Sequence, residues 1–377
     1  MSISYSNTPA RGRLATALLL PILLAFACAK PPVIHEDPYP EGEGALVSVL
    51  FSASGPTKAT LIDPAGETAV GRWAVFAFDT ADGWFTYETS VSGDPISMTL
   101  RAGRSYSCWA IVNYPVTGTG AFDPSTVRSP EDLSGKVACL SDNAVGRLLM
   151  FGSVEFTPQA TYYDPEDPST AASETRTIAV TRLVSRIDLD GIAVDFSGKP
   201  ALQAKTFTLR GVYVTNAYRT TRYGSDYGGQ ELSGSRAAWY NSGGWHRGEA
   251  ADEALDALLG DRGINAVVSA GSPYGTAHSF YVFPNATAKG DDDRETAAWS
   301  VRCTRLVIEA TLGGETLYYS IPVPSMVRNR IYSAATVTIR GRGSTDPEAE
   351  STDLDVNITD TDWNDGWDNP DDPEIDL

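Results

Sequence analysis

The stretch that most constrains the fold lies at the end of the chain. Across 354–358, Leu354, Val356 and Ile358 alternate with Asp355 and Asn357, so one face is apolar and the other polar. A closing strand that is apolar on one face needs a sheet to receive it, either its own or a neighbour's. The run before it, 328–339 (RNRIYSAATVTI), supplies the β-branched residues Thr336, Val337, Thr338 and Ile339. Between the two, GRGSTDPEAES breaks the pattern with two glycines and a proline. Trp363 closes the apolar stretch, and the acidic residues after it read as solvated tail.

The other end reads as an export signal. Arg11 and Arg13 precede an apolar core at 14–27 (LATALLLPILLAFA) that is short for a membrane span and holds Pro21. Cys28 follows Ala27 directly, where a lipoprotein signal places its lipid-carrying cysteine, although Ala25 stands where such signals usually have Leu. Lipidation at Cys28 is therefore expected, with residues 1–27 removed and 28–44, rich in Pro and Glu, acting as a tether.

About 350 residues remain after that cut, enough for two domains of ordinary size. A 42% hydrophobic content supports real cores, and 34 Gly with 23 Pro suit many short strands and turns. The net charge is −19, of which the 13 acidic residues beyond Arg342 account for −13. Such a chain does not suit binding to nucleic acid through phosphates. If Cys28 is lipidated, Cys108, Cys139 and Cys303 remain, an odd number that cannot all pair internally. Cys108 and Cys303 read as small buried residues of strands, and a Cys108–Cys139 disulfide stays open.

Organisation follows from the runs and their punctuation. The first domain, 45–175, opens with a strand at 45–53 and a looser loop that holds Lys58, Ala59 and, at its end, Arg72. Asp82-Gly83 is a hairpin signal, 129–132 (SPED) a helix start, and 157–174 a Pro/Asp/Ser/Thr-rich edge. The second domain, 176–350, opens on two alternating runs, 181–196 and 207–218, that read as partner strands. A polar insertion follows with Tyr227, Trp239, Tyr240 and Trp245, then a short helix at 248–260, a strand end at 278–287 and a hairpin about Gly313-Gly314. Residues 351–377 form the terminal strand and acidic tail. Short strands at regular spacing already indicate an all-β sandwich.

Several of these pieces resemble the fimbrillin family, the pilins of type V pili and their accessory lipoproteins. They are VFAFDTADG at 75–83, RAGRSYSCWAIVN at 101–113, LMFG at 149–152, FYVFPN at 280–285, RNRIY at 328–332, TVTIRGRGSTDPE at 336–348 and TDW at 361–363. The resemblance covers most of the mature chain at motif level. It implies two tandem transthyretin-like β-sandwich domains with short helical excursions. It also implies assembly by strand exchange: a protease cuts the loop after the first strand, that strand leaves, and a neighbour's strand fills the groove. The leaving strand would be 45–53, and the incoming one would carry Leu354, Val356 and Ile358, closed by Trp363. Where the family typically has an Arg-Ala cleavage point, this chain has Lys58-Ala59, and the next basic residue is Arg72. Cutting at Lys58, cutting at Arg72 and no cutting at all remain open, the last suiting an anchor or cap.

The expected role is thus a structural or anchoring pilus protein at the cell surface, lipid-anchored to the outer membrane at least as a precursor. Its partners would be other pilus subunits and a host or bacterial surface receptor. The alternative is a surface glycan-binding lipoprotein, with Tyr227, Trp239, Tyr240 and Trp245 stacking on sugars. A hydrolase is the weakest reading: His35, His246 and His278 fall in a tether, a loop and a strand end, with no HExxH, GxSxG or P-loop pattern. DTDWNDG at 360–366 departs from a calcium loop, since Gly366 comes one residue late and Asp371 replaces the usual Glu. No enzyme activity, cofactor or metal is expected.

Overall fold

Alternating runs of Val, Phe, Tyr and Trp between turn residues become short strands, as their β-branched and aromatic content favours. A computed structural model describes residues 46–54, 67–159, 173–226, 228, 239–241, 256–291 and 302–363. All of them fall in one compact unit, Tyr39–Leu377. The first strands are β1 (Leu46–Ser54), β2 (Trp73–Asp79), β3 (Phe85–Ser90), β4 (Ile96–Arg101), β5 (Tyr106–Val112), β6 (Met150–Phe156) and β7 (Ser173–Ala179). One sheet has the order β4-β1-β7, with β1 antiparallel to β4 and parallel to β7. The other runs β3-β2-β5-β6 and ends on the two-residue strand Thr181–Arg182.

These two sheets sandwich one core, in which Val47, Val49 and Phe51 of β1 meet Trp73, Val75, Cys108 and Ala110. β7 pairs β1, so the first sandwich runs on past residue 175, where the composition alone placed its end, and hands over after Arg182. The backbone crosses tightly there: a Cβ on Gly152 would lie 2.0 Å from the Ala179 carbonyl oxygen, which only glycine avoids. The hairpin between β2 and β3 turns at Gly83, with φ of 75°. The helix α1 (Pro130–Ser134) begins at Ser129, whose hydroxyl accepts from the Asp132 amide at 3.1 Å.

The second sandwich is built from β8 (Ser185–Val194), β9 (Phe207–Thr215), β10 (His278–Val282), β11 (Arg305–Leu312), β12 (Glu315–Pro322), β13 (Arg330–Ile339), β14 (Leu354–Asp355) and β15 (Ile358–Asp362). One sheet is β10-β8-β13, with β14 and β15 both pairing β13; the other holds β9, β11 and β12. β8 and β9 are therefore not hydrogen-bonded partners, contrary to their matching alternation. The connector between them changes layers through a helical turn at Pro200–Gln203, so the strands face each other across a shared core. β11 and β12 do form the hairpin, with φ of 62° at Gly313 and 89° at Gly314.

The outer face of β2, with Ala74, Phe76 and Phe78, packs under the segment after β5 and joins the second core in one cluster. Val137–Cys139 pairs with Thr220–Arg222, tying the halves together. Cys108, Cys139 and Cys303 are all buried, none of them in a disulfide, and Cys303 lies just before β11 rather than in a strand. The free edge of β12 is strapped by the loop that precedes the terminal strand. Tyr318 and Ser344 exchange backbone bonds at 2.7 and 2.9 Å, and the Ser351 amide donates to the Ser320 carbonyl at 3.3 Å.

Candidate strand-exchange site

β1 is the centre of its sheet rather than an edge, bonded to β4 over Leu46–Phe51 and to β7 over Ser48–Ser54. Val47, Val49 and Phe51 point inward and are fully buried, while Leu46 and Leu50 face out. Burial of these three contributes about 1.5–3 kcal/mol each. Taking β1 away would leave β4 and β7 without the partner that joins them and would open an apolar groove between them. Phe51→Ala should cost about 3–5 kcal/mol, read as a drop in the urea midpoint, because the pocket cannot collapse around it.

The terminal strand packs on its own sheet. β15 lies antiparallel to β13, from Arg330 opposite Asp362 to Ala334 opposite Ile358. Leu354, Val356 and Ile358 are half-buried against the core while Asp355 and Asn357 are exposed, so the alternation in the sequence is kept. The cover is incomplete: a cleft of about 510 Å³ remains beside these three side chains, lined also by Ile321, Pro322 and Pro324. Trp363 is the exception, with 1% of its surface exposed. Asp360, which entered the calcium comparison, pairs with Arg330 at 2.7 Å.

Trp363 sits in a polar knot. The Arg182 guanidinium lies 4.2 Å above its ring and that of Arg186 lies 5.2 Å away, with the Tyr281 ring stacked beside it. Its amide donates to the Asn329 carbonyl at 3.1 Å. Arg186 is bridged at 2.8 Å to Glu67 and at 3.0 Å to Asp188, and Tyr281 donates its hydroxyl to Glu67. Ser279 donates to Asp188 at 2.7 Å. Burial works against the Arg186 charge, and Asp188 and Glu67 override it, so its pKa stays above the ordinary value. Burial likewise pushes Asp188 up despite Arg186 beside it, and pushes the Tyr281 phenol up.

The connector side can be followed from Glu67 onward. Arg72 is half-buried and its carbonyl accepts from the Asn113 amide at 2.7 Å, with its guanidinium 5.9 Å from the Tyr114 ring. Asn113 holds φ of 62° and also binds Gly71 and Ala69, each at 2.9 Å. The next residue, Trp73, is fully buried. Cys28, Lys58 and Ala59 lie outside the described residues, as do Tyr227 and Trp245. Trp239 and Tyr240 are buried, at 2% and 7% exposure: Trp239 stacks on Tyr218 at 4.0 Å and Arg219 caps the Tyr240 ring at 4.0 Å. Neither therefore offers a ring face to a sugar. The insertion packs these rings inward because two adjacent aromatics gain more from burial than from solvent.

Sequence reasoning placed strands at the start of the first domain and at the end of the chain but missed Glu67, Arg182, Arg186, Tyr281 and Asn329. Arg186 and Asp188 alternate with Ile187 and Leu189, which ordinarily marks a solvent face. On a strand flanked by β10 and β13 in the middle of a sheet, that second face is buried as well.

No family profile and no curated protein matches this sequence. Solved structures do share the fold. A candidate cell adhesion protein of Parabacteroides distasonis superposes with a TM-score of 0.59 at 18% identity, covering 85% of this chain and 99% of the other. A candidate cell adhesion protein of Bacteroides eggerthii gives 0.55 at 17% identity, covering 86% and 98%. A fimbrilin of Porphyromonas gingivalis gives 0.53 at 16% identity, covering 85% and 98%. The chain thus has the all-β fold seen in a fimbrilin, over nearly the whole length of each of these proteins.

Proposed function

We propose that this chain is a structural subunit, or an anchoring or accessory protein, of a surface fimbrium, with no catalytic role. In this reading it is exported, lipidated at Cys28 and held at the outer membrane, at least as a precursor. Its partners are other pilus subunits and a surface receptor. It joins them by strand exchange, in which β1 leaves after a cut in the connector and another subunit's terminal strand takes its place. The observation that carries the reading is the position of β1. A central strand with buried residues at alternate positions 47, 49 and 51 leaves a groove that Leu354, Val356 and Ile358, at the same spacing, can fill. The fold shared with a fimbrilin and with candidate adhesion proteins supports it.

Energetics point the same way. The three apolar side chains of the terminal strand are only half-buried on their own edge, so moving them between two strands of a neighbour adds burial worth roughly 1 kcal/mol each. The backbone held over 69–73 favours a cut before Glu67, hence Lys58-Ala59 over Arg72. Sequencing the mature surface protein separates a blocked Cys28 start from starts at Ala59 or Trp73. Val356→Asp should be exported and processed normally but fail to enter high-molecular-weight assemblies, because a charge cannot enter the groove. Assembly of Val356→Asp at the wild-type level would falsify strand exchange.

A further inference from the structure

We propose that Glu67 is a latch that holds the terminal strand in its own sheet, so that the site of the cut decides whether that strand is free to leave. This deepens the fimbrial reading and rests on it for the existence of a cut, while the coupling itself belongs to the monomer. Among the described residues, Trp363 is the one deeply buried at the end of the terminal strand, and it is clamped by two guanidiniums. Both are bonded to the same residue. Arg186 meets the Glu67 carboxylate at 2.8 Å, and Arg182 donates through Nε to the Glu67 carbonyl at 3.3 Å. Tyr281, the third wall of the socket, also donates to that carboxylate.

Glu67 belongs to the connector between β1 and β2, not to the sheets that carry the socket. It is continuous with 69–72, which Asn113 pins through three hydrogen bonds. A residue of the segment that processing acts on thus orients the clamp on the segment that exchange must release. A cut before Glu67 removes β1 and leaves the latch closed, so a processed subunit keeps its own terminal strand until a partner competes for it. A cut after Arg72 takes Glu67 away with β1, leaves Arg186 only Asp188 of the two carboxylates, and loosens Trp363. The two cutting points therefore yield subunits of different readiness.

The test is hydrogen exchange on the uncut full-length chain, which needs no partner. Glu67→Gln should raise exchange at the amides of 358–363 about tenfold or more, with β2 and β11 unchanged. Coupling is reciprocal, so Trp363→Leu should raise exchange at Gly71 and Asn113. Ile358→Ala, which loosens the same strand away from the socket, should leave Gly71 and Asn113 as they are. If Glu67→Gln does not fold, the Trp363→Leu and Ile358→Ala comparison decides alone. An unchanged terminal strand in folded Glu67→Gln, or equal responses of Gly71 and Asn113 to both strand variants, would overturn the latch. Neither result bears on whether the chain assembles, and a failure of Val356→Asp to block assembly does not bear on the latch.

Discussion

Deletion of residues 353–377 is expected to destabilise the isolated protein by about 5 kcal/mol or more. Trp363 alone should account for about 3–5 kcal/mol, because it fills a socket that two arginines and a tyrosine hold open. Leu354, Val356 and Ile358 add roughly 1 kcal/mol each, since each is half-buried to begin with. A chain of this kind has only about 5–15 kcal/mol in total, so the truncated form should be partly unfolded near 37 °C. Thermal melting measures the loss. A synthetic peptide of 353–363, added in excess, should restore much of it by re-forming the pairing with β13, and should do so less well when Trp363 is replaced by Ala. A truncation that melts as the full chain does would mean that the strand contributes nothing to its own sheet.

Arg186→Ala is expected to cost about 3–5 kcal/mol, more than any exposed ion pair of the molecule. Its side chain is 1% exposed and that of Glu67 is fully enclosed, so the variant leaves two carboxylates in the interior without their guanidinium. The deficit should depend on pH with a definite sign. Burial already holds the Asp188 pKa above its ordinary value, and the loss of Arg186 removes the main influence that lowers it. A carboxylate whose folded pKa is raised penalises the fold fully above that pKa and not at all once the unfolded group is protonated too. The difference in melting temperature between variant and wild type should therefore shrink as pH falls through the window from the raised value towards about 4. Replacing the whole set, as Arg186→Met with Glu67→Gln and Asp188→Asn, should recover part of the stability at neutral pH. A constant deficit from pH 4 to 8 would assign the effect to lost packing instead.

How much of this was legible in the sequence follows from what alternation encodes. Period-two patterns identify strands and their apolar faces, and they did so for the terminal strand, where Leu354, Val356 and Ile358 alternate as expected. They carry no information on which sheet receives a strand. That is why β8 and β9, each regular, were paired in error when a helical turn in fact carries the chain across the core. The end of the first sandwich was set too early for a related reason. The Ser/Thr-rich composition before residue 175 reads as a linker, yet Ser173–Ala179 pairs in parallel with a strand more than a hundred residues away. The buried knot was harder still. Glu67 stands in a stretch with no periodicity, and its value comes from Arg186 and Tyr281, 119 and 214 positions along the chain. Asn113 was quoted only as the end of a motif, although its left-handed backbone and its amide side chain organise the approach to β2.

The strap over β12 has a bearing on how the molecule behaves when crowded. An uncovered strand of eight residues with Tyr318, Tyr319 and Ile321 would be a template for sideways sheet growth between neighbouring molecules. Ser344, Glu350 and Ser351 occupy that margin with backbone contacts instead. At high local density, then, this flank of the molecule offers neighbours no ready ladder on which to stack into plaques.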